Sequence, residues 1–174
     1  MRGAALLLVG ITLAWPLGAQ TFTPPPMQRS APRSTRIGLY GFSTHAGVDL
    51  SAGKQFVLGI GLDVGNLFVD RLRLRPTMEM GFLNGANTYT GNLELLFHFL
   101  DDDRPAIPYL GGGLGIAGHT ACGTDPGCPA LWVNAVLGAE VRIRSTFSWF
   151  VEYRGLDGFK HNRLCLGLTT RRGN

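Results

Sequence analysis

The sequence predicts an all-β protein, an eight-stranded antiparallel up-and-down transmembrane β-barrel with a polar, side-chain-filled lumen. The first observation is an apolar/polar alternation at a period of two, which recurs from about residue 56 to residue 170 and places alternate side chains on opposite faces of a sheet. The second is composition, since only 16% of the residues are charged and 25 are glycine. The third is that no run of about 18 uninterrupted apolar residues follows the N-terminal segment, so no transmembrane helix is predicted.

The N-terminal residues have the features of a secretory signal peptide, predicted over 1–19. Arg2 supplies the positive charge, residues 4–13 are apolar, and a small-residue site ends at Ala19, where we expect cleavage. Residues 20–34 contain four prolines, which lack the N–H donor that a strand ladder needs. We therefore expect a disordered proline-rich lead-in over 20–34 and a barrel over 35–172.

Eight segments alternate as strands do, and most reach the roughly nine to eleven residues that a tilted membrane strand needs. They cover about 35–43, 54–64, 70–83, 88–100, 107–118, 131–144, 147–157 and 161–171. Turn residues separate some neighbours, and the longest connections are predicted at 44–53 and 119–130. An even number of strands leaves both chain ends on one side of the membrane, as in bacterial barrels.

Side-chain volume decides which face of the strands points outward. The apolar faces hold roughly thirty sizeable side chains, whereas a packed eight-stranded interior accommodates about twelve. The opposite faces are polar and rich in glycine, which suits a narrow lumen. The apolar face is therefore predicted to face lipid.

Aromatic residues fall near the two ends of the predicted strands, as expected for belts at the two membrane interfaces. The two groups are Phe56, Phe82, Tyr89 and Trp132 at one end, and Phe68, Phe97, Phe99, Phe147 and Trp149 at the other.

Charged residues on the inward face form the most specific pattern in the sequence. The predicted lumen charge network comprises Arg73, Arg75, Glu79, Glu94, Glu140, Arg142, Glu152, Arg154 and Arg163. An unpaired buried charge is costly, and the guanidinium fork pairs well with carboxylates. We interpret the set as a structural salt-bridge plug. A gated conduit is the alternative, and paired carboxylates acting as acid and base are disfavoured because no route for a sizeable substrate is apparent.

Two cysteines flank a short polar segment in the connection 119–130. Because the signal peptide indicates an oxidising compartment, we predict a disulfide between Cys122 and Cys128. A metal site formed by the two cysteines and His119 is the alternative, and it lacks a fourth ligand at a familiar spacing. Cys165 is predicted to be a free thiol facing the lumen.

The glycine run 111–115 superficially suggests a phosphate-binding loop. Such a loop follows a strand and opens a helix, whereas this run lies inside a predicted strand with no helical pattern after it. We interpret these glycines as small residues in a tight lumen.

Several segments together resemble the small outer-membrane β-barrel family, the OmpA- and OmpW-like transmembrane domains of Gram-negative bacteria. The segments are 108–115 (PYLGGGLG), 138–142 (GAEVR), 150–154 (FVEYR) and 161–168 (HNRLCLGL). The resemblance covers about residues 35–172. The sequence departs from this family at its C-terminal end, Thr169 to Asn174, where the family carries an aromatic residue.

The resemblance implies an outer-membrane protein with a structural or surface-interaction role: envelope integrity, adhesion or loop-mediated binding, with contacts through 44–53 and 119–130. The partners it implies are outer-membrane lipid and, during biogenesis, the barrel-assembly machinery. A narrow porin-like conduit for ions or small solutes is the alternative.

A lipid-modifying enzyme is less favoured. The segment 161–163 lacks the serine of the deacylase pattern, and Ser43 and His45 occur in reverse order. We expect no catalysis and no cofactor. We expect no nucleic-acid partner, because the basic residues alternate with apolar ones instead of forming a patch.

Overall fold

The computed structural model describes residues 35–51, 54–83, 85–144 and 146–170. The predicted signal peptide over 1–19 and lead-in over 20–34 lie outside these residues. The strands are β1 (Arg36–Asp49), β2 (Phe56–Asn66), β3 (Leu72–Phe82), β4 (Thr88–His98), β5 (Ala106–His119), β6 (Ala130–Arg144), β7 (Phe147–Leu156) and β8 (His161–Thr170), with a short 3₁₀ helix at Cys122–Thr124. No helix in the described part of the chain is long and apolar enough to cross a membrane.

The eight strands close into one barrel in sequence order, and every pairing is antiparallel. β1 pairs with β8 from Ser43↔Thr169 to Asp49↔Arg163, which closes the ring. One end of the barrel carries the start of β1, the end of β8 and the connections 67–71, 99–105 and 145–146; we call it the terminus side. The opposite end, the loop side, carries the connections 50–55, 83–87, 120–129 and 157–160.

The distribution of polarity is inverted relative to a water-soluble protein. Among the described residues, 32 large hydrophobic side chains are exposed, only nine hydrophobic side chains of any size are buried, and 18 polar or charged side chains are buried. Leu137 and Leu166 are 56% and 58% exposed, whereas Arg154 is fully buried. The apolar face points outward, as the volume argument predicts, and the fold class is confirmed.

Glycines of β5 make room for lumen side chains from neighbouring strands. A Cβ atom added at Gly111 would lie 2.4 Å from Leu96 Cδ2, and one added at Gly115 would lie 2.2 Å from Asn92 Oδ1. The run 111–115 lies within β5 and pairs with both β4 and β6. Gly111 and Gly115 therefore leave space for side chains inside the lumen.

The first strand is longer than the sequence predicts. Residues 44–49, expected to belong to a loop, continue β1 to Asp49 and pair with both β2 and β8. The apolar/polar alternation of β1 changes phase before this segment, because the β1–β2 register shifts between Ile37 and Gly41. The prediction of a surface loop over 44–53 is therefore wrong, and the connection shrinks to 50–55.

One predicted member of the aromatic belts lies inside the barrel. Trp132 is buried, and its ring meets that of His161 edge-to-face with centroids 5.6 Å apart. Its even-numbered position on β6 gives it the lumen face, so its assignment to a belt is wrong. Phe56 and Phe82 pack together on the loop side, with ring centroids 5.3 Å apart.

Candidate functional site in the lumen

Six of the nine predicted lumen charges meet in one ion-pair cluster, which we call the central network. β3 supplies Arg75 and Glu79, β4 supplies Glu94, β7 supplies Glu152 and Arg154, and β8 supplies Arg163. Residues two or four apart on one strand share a face. Arg75 and Glu79 on β3 therefore point into the lumen together, and so do Glu152 and Arg154 on β7. All six side chains are buried.

Arg154 lies at the centre of this network and contacts three carboxylates. Its Nε donates to Glu152 Oε2 at 2.9 Å, and its Nη1 lies 3.1 Å from Glu94 Oε1 and also bonds Glu79. The side chains of Arg154, Glu79, Glu94 and Glu152 are all 0% exposed. A single guanidinium thus joins three strands of the barrel.

Arg75 engages two of the same carboxylates from another strand. Its Nη2 donates to Glu94 Oε2 at 2.9 Å, and its Nη1 bonds Glu152. The hydroxyl of Tyr109 donates to Glu152 Oε1 at 2.5 Å. Glu152 is therefore held by two arginines and a phenol.

The network continues toward the loop side through Arg163. Its Nη1 donates to Glu79 Oε2 at 2.5 Å and its Nε donates to Asp49 Oδ2 at 3.2 Å. His45 Nε2 lies 3.0 Å from Glu79 Oε1. His161 Nδ1 lies 3.4 Å from Asp49 Oδ2.

The central network has three carboxylates, and each of them contacts two guanidiniums. Charge-assisted, hydrogen-bonded pairing is the condition under which buried charges are tolerated. Since β3, β4, β7 and β8 all contribute, the ion pairs cross the barrel interior and bind its walls together. This arrangement obstructs the lumen at its middle.

The other three predicted charges lie nearer the terminus side and form a separate group. Arg73 bonds Asp102 through Nη2, and its Nη1 lies 3.9 Å from Asp63 Oδ2. Arg142 donates to the backbone carbonyl of Asp102. Glu140 is buried and lines a cavity of about 40 Å³ together with Arg73.

Three residues of the lumen cluster were missed by the prediction. His45 and Asp49 fell in the segment assigned to a loop, so their contacts with Glu79 and Arg163 were not anticipated. Tyr109 was placed on the inward face without a role. A signal existed for the first two, because Ser43, His45 and Asp49 share one parity with small residues between them.

On the loop side, the connection 120–129 brings Cys122 and Cys128 together, with Cα atoms 5.1 Å apart. That separation is within the usual range for a disulfide. The ligand atoms of His119 and both cysteines lie within 4.8 Å of one another, so the same residues are those available to a metal ion. Cys165 is buried as a free thiol.

Asp125 stabilises the turn within the connection 120–129 through two side-chain contacts. Asp125 Oδ1 accepts from the Gly127 N–H at 2.8 Å, and its Oδ2 lies 3.1 Å from His119 Nε2. Both contacts favour the ionised carboxylate and lower the pKa of Asp125 below its ordinary value. The hydrogen bond from the Gly127 N–H has the larger effect, and that from His119 the smaller.

Solved structures with this architecture are small β-barrels. The N-terminal β-barrel domain of Pseudomonas aeruginosa OprF aligns over 78% of this chain and 99% of its own, with 15% identity and a TM-score of 0.56. Neisserial surface protein A aligns over 76% and 95%, with 14% identity and a TM-score of 0.55. A de novo designed transmembrane β-barrel aligns over 79% and 99%, with 12% identity and a TM-score of 0.52.

No family model matches the chain. No curated protein matches it either. The structural neighbours establish the class, which is the small eight-stranded outer-membrane β-barrel fold, and they confirm the resemblance at the level of fold.

Proposed function

We propose that this protein is a structural component of a bacterial outer membrane, a plugged barrel without catalytic activity that contacts other molecules at its surface. The observation that carries the proposal is the central network. It obstructs the middle of the lumen with mutually paired charges, which supports a rigid, structural interior over a passage or a reactive centre.

The surface role falls to the loop side. The connection 120–129 has ten residues and is longer than the other three loop-side connections. A disulfide between Cys122 and Cys128 would reduce its freedom in the unfolded chain and keep the contact surface in one shape. Outer-membrane lipid covers the apolar wall, and the barrel-assembly machinery is the expected partner during insertion.

Fractionation tests the location. The full chain is expressed in a Gram-negative host, and its membranes are separated by density. We expect the protein in the outer membrane, a mature N-terminus following Ala19, and a gel mobility that changes on boiling. Recovery in the aqueous fraction without detergent would overturn the proposal.

Planar-bilayer recordings separate the plugged barrel from the porin-like conduit. The purified protein is expected to give no steady openings, and neither should Leu137→Ala, a matched change on the outer wall. The double variant Glu79→Gln with Arg154→Met removes one negative and one positive charge from the central network. In its folded form it is expected to show steady channel openings. Steady openings in the unmodified protein would support the conduit instead.

Mass spectrometry of lipid A tests for lipid modification. Cells that express the protein should yield the same lipid A species as cells that express a folded, unrelated barrel. A new acylation state, present only with this protein, would contradict the proposed lack of catalysis.

A further inference from the structure

The lumen is not filled along its whole length, because a polar cavity of about 280 Å³ opens at the terminus side. We call this cavity the vestibule. Its lining includes side chains of β1, β2, β3 and β4 and of the connection 99–105. The residues used below are Tyr40, Asp63, Asn66, Asp70, Arg73 and His98.

Two irregularities in the strands build the wall of the vestibule. The β1–β2 register shifts between Ile37 and Gly41, and the β2–β3 register shifts between Gly61 and Asn66. Such irregularities re-aim side chains and are frequent beside functional sites. Here they flank Tyr40 and Asn66, both of which line the cavity.

The ring of Tyr40 lies against the backbone of Gly65. A Cβ atom added at Gly65 would lie 2.7 Å from Tyr40 Cε2, and the φ angle of +109° at this position strongly favours glycine. Gly65 therefore holds an aromatic ring at the cavity wall, where a ligand with C–H groups can pack against it.

Two residues that line the vestibule each carry a buried side-chain nitrogen without a hydrogen-bond partner in the described part of the chain. These nitrogens are Arg73 Nη1 and His98 Nδ1, and both residues also line the cavity of about 40 Å³ described above. Arg73 is 6% exposed and His98 is 3% exposed, and both residues line the vestibule. Buried donors and acceptors without partners are uncommon in folded proteins, so each of these nitrogens is available to a polar group of a ligand.

The charges around the vestibule favour a neutral ligand. Arg71 and Arg73 are already paired with Asp101 and Asp102, and Asp63 Oδ2 lies 3.9 Å from Arg73 Nη1. The lining holds three arginines and four aspartates, so the attraction and the repulsion of an added ion largely cancel. A hydroxyl group can use both kinds of partner, because it accepts from Arg73 and donates to a carboxylate.

We propose that the vestibule binds a neutral polyol of about the size of a monosaccharide. Arg73 and His98 hydrogen-bond to hydroxyl groups at its floor, Asn66 and Asp70 line the wall, and Tyr40 packs against a C–H face. The volume is just below the roughly 300–1,000 Å³ of typical small-molecule sites. Binding at this site requires only the folded barrel and does not depend on the proposed location or surface role.

Imidazole NMR offers a direct readout, because the chain has four histidines and His98 is the one that lines the vestibule. The folded protein is studied in phosphocholine micelles, since glycoside detergents carry a competing headgroup. We expect glucose to shift the His98 ring signals saturably, with a dissociation constant in the millimolar range, and to leave those of His119 unchanged. Sodium acetate and ammonium chloride are expected to cause no saturable shift.

Substitutions of residues that line the vestibule test their proposed contacts with the ligand. Tyr40→Ala is expected to weaken glucose binding about tenfold, the equivalent of about 1.4 kcal/mol, and Asn66→Ala by a smaller factor. Lys160→Ala on the loop side is the matched control and should bind as the unmodified protein does. Arg73→Lys keeps the charge but loses the fork, so it should weaken binding while the barrel stays folded.

Three results would overturn the proposal. One is a His98 signal that does not respond to glucose, which would mean that water alone fills the cavity. Another is a saturable response to acetate instead of glucose, which would make the cavity an anion site. The third is an equal response in the Tyr40→Ala variant and the unmodified protein.

Discussion

The outer wall and the lumen are made from alternate residues of the same strands, yet they obey opposite rules. Val151 on β7 is exposed and apolar, and its neighbour Glu152 is buried and bound to two arginines. On the wall an exposed apolar side chain is stabilised by the lipid that we propose surrounds the barrel, and in the lumen a buried charge is stabilised by an opposite charge. The environment of each face, more than the type of residue, therefore sets the cost of a substitution.

The largest expected effect comes from removing the shared cation of the lumen. Arg154→Met leaves Glu79, Glu94 and Glu152 without their common partner, and breaking such a buried network costs about 3–5 kcal/mol. Urea-dependent unfolding in lipid vesicles, followed by tryptophan fluorescence, measures the loss. The double change Arg154→Met with Glu152→Gln should lose less than the sum of its two single changes. A stable single variant would show that the ion pairs contribute little.

The next largest effect comes from placing a charge on the wall. Leu137 lies at the middle of β6 and faces outward. Leu137→Arg is expected to lower the free energy of unfolding by about 2–4 kcal/mol, the cost of an arginine near the bilayer midplane.

Asn134→Ser provides the comparison on the opposite face of the same strand. It removes one lumen hydrogen bond, from Asn134 Nδ2 to Glu94 Oε1 at 3.3 Å, at a cost of about 1 kcal/mol. Both variants are measured by the same unfolding assay. Equal losses for the two substitutions would contradict the assignment of faces.

A smaller effect is expected in the loop-side connection 120–129. Cys122→Ser removes the proposed disulfide, and a loop of this length contributes about 2 kcal/mol through the unfolded chain. Unfolding with and without reductant measures this difference, and mass mapping without reduction identifies the bridge. A bridge from Cys165 to either loop cysteine would show that the strand register is wrong.

The smallest effect is a pH dependence of the connection 120–129. The pKa of Asp125 is lowered in the folded protein, so its contacts stabilise the turn above the ordinary carboxyl pKa and are lost as the pH falls through the folded value. Carbonyl NMR of Asp125 is expected to show titration below 3.8, the ordinary value. In the Asp125→Asn variant, the amide hydrogen of Gly127 should exchange with solvent faster at neutral pH than in the unmodified protein. An ordinary titration midpoint would contradict the structure of this turn.

Most of the fold was predictable because period-two alternation is a strong local signal. Residues 131–144 alternate without interruption, and the structure places β6 at Ala130–Arg144. β1 was predicted poorly for a physical reason: its outward positions Thr44 and Ala46 are too small or too polar to mark a lipid-facing side. The register shift between Ile37 and Gly41 also changes the phase of the pattern within the strand.

The candidate sites were predictable to different degrees. The inward parity of Glu79, Glu94, Glu152 and Arg154 follows from their strands, but their partners depend on how strands stagger around the barrel, which a linear pattern does not encode. The vestibule could not be anticipated. It depends on two register shifts and on Gly65 leaving space for Tyr40.

The closing pair of strands has a consequence for how the molecule forms. The Thr170 hydroxyl contacts both the amide and the carbonyl of Phe42, at 3.4 Å and 3.2 Å, across 128 residues of sequence. Until these distant segments meet, the first and last strands each present an unpaired backbone edge, which hydrocarbon does not solvate. Insertion and ring closure should therefore be coupled in one cooperative step, and an open-sided intermediate would need a protein template along that edge.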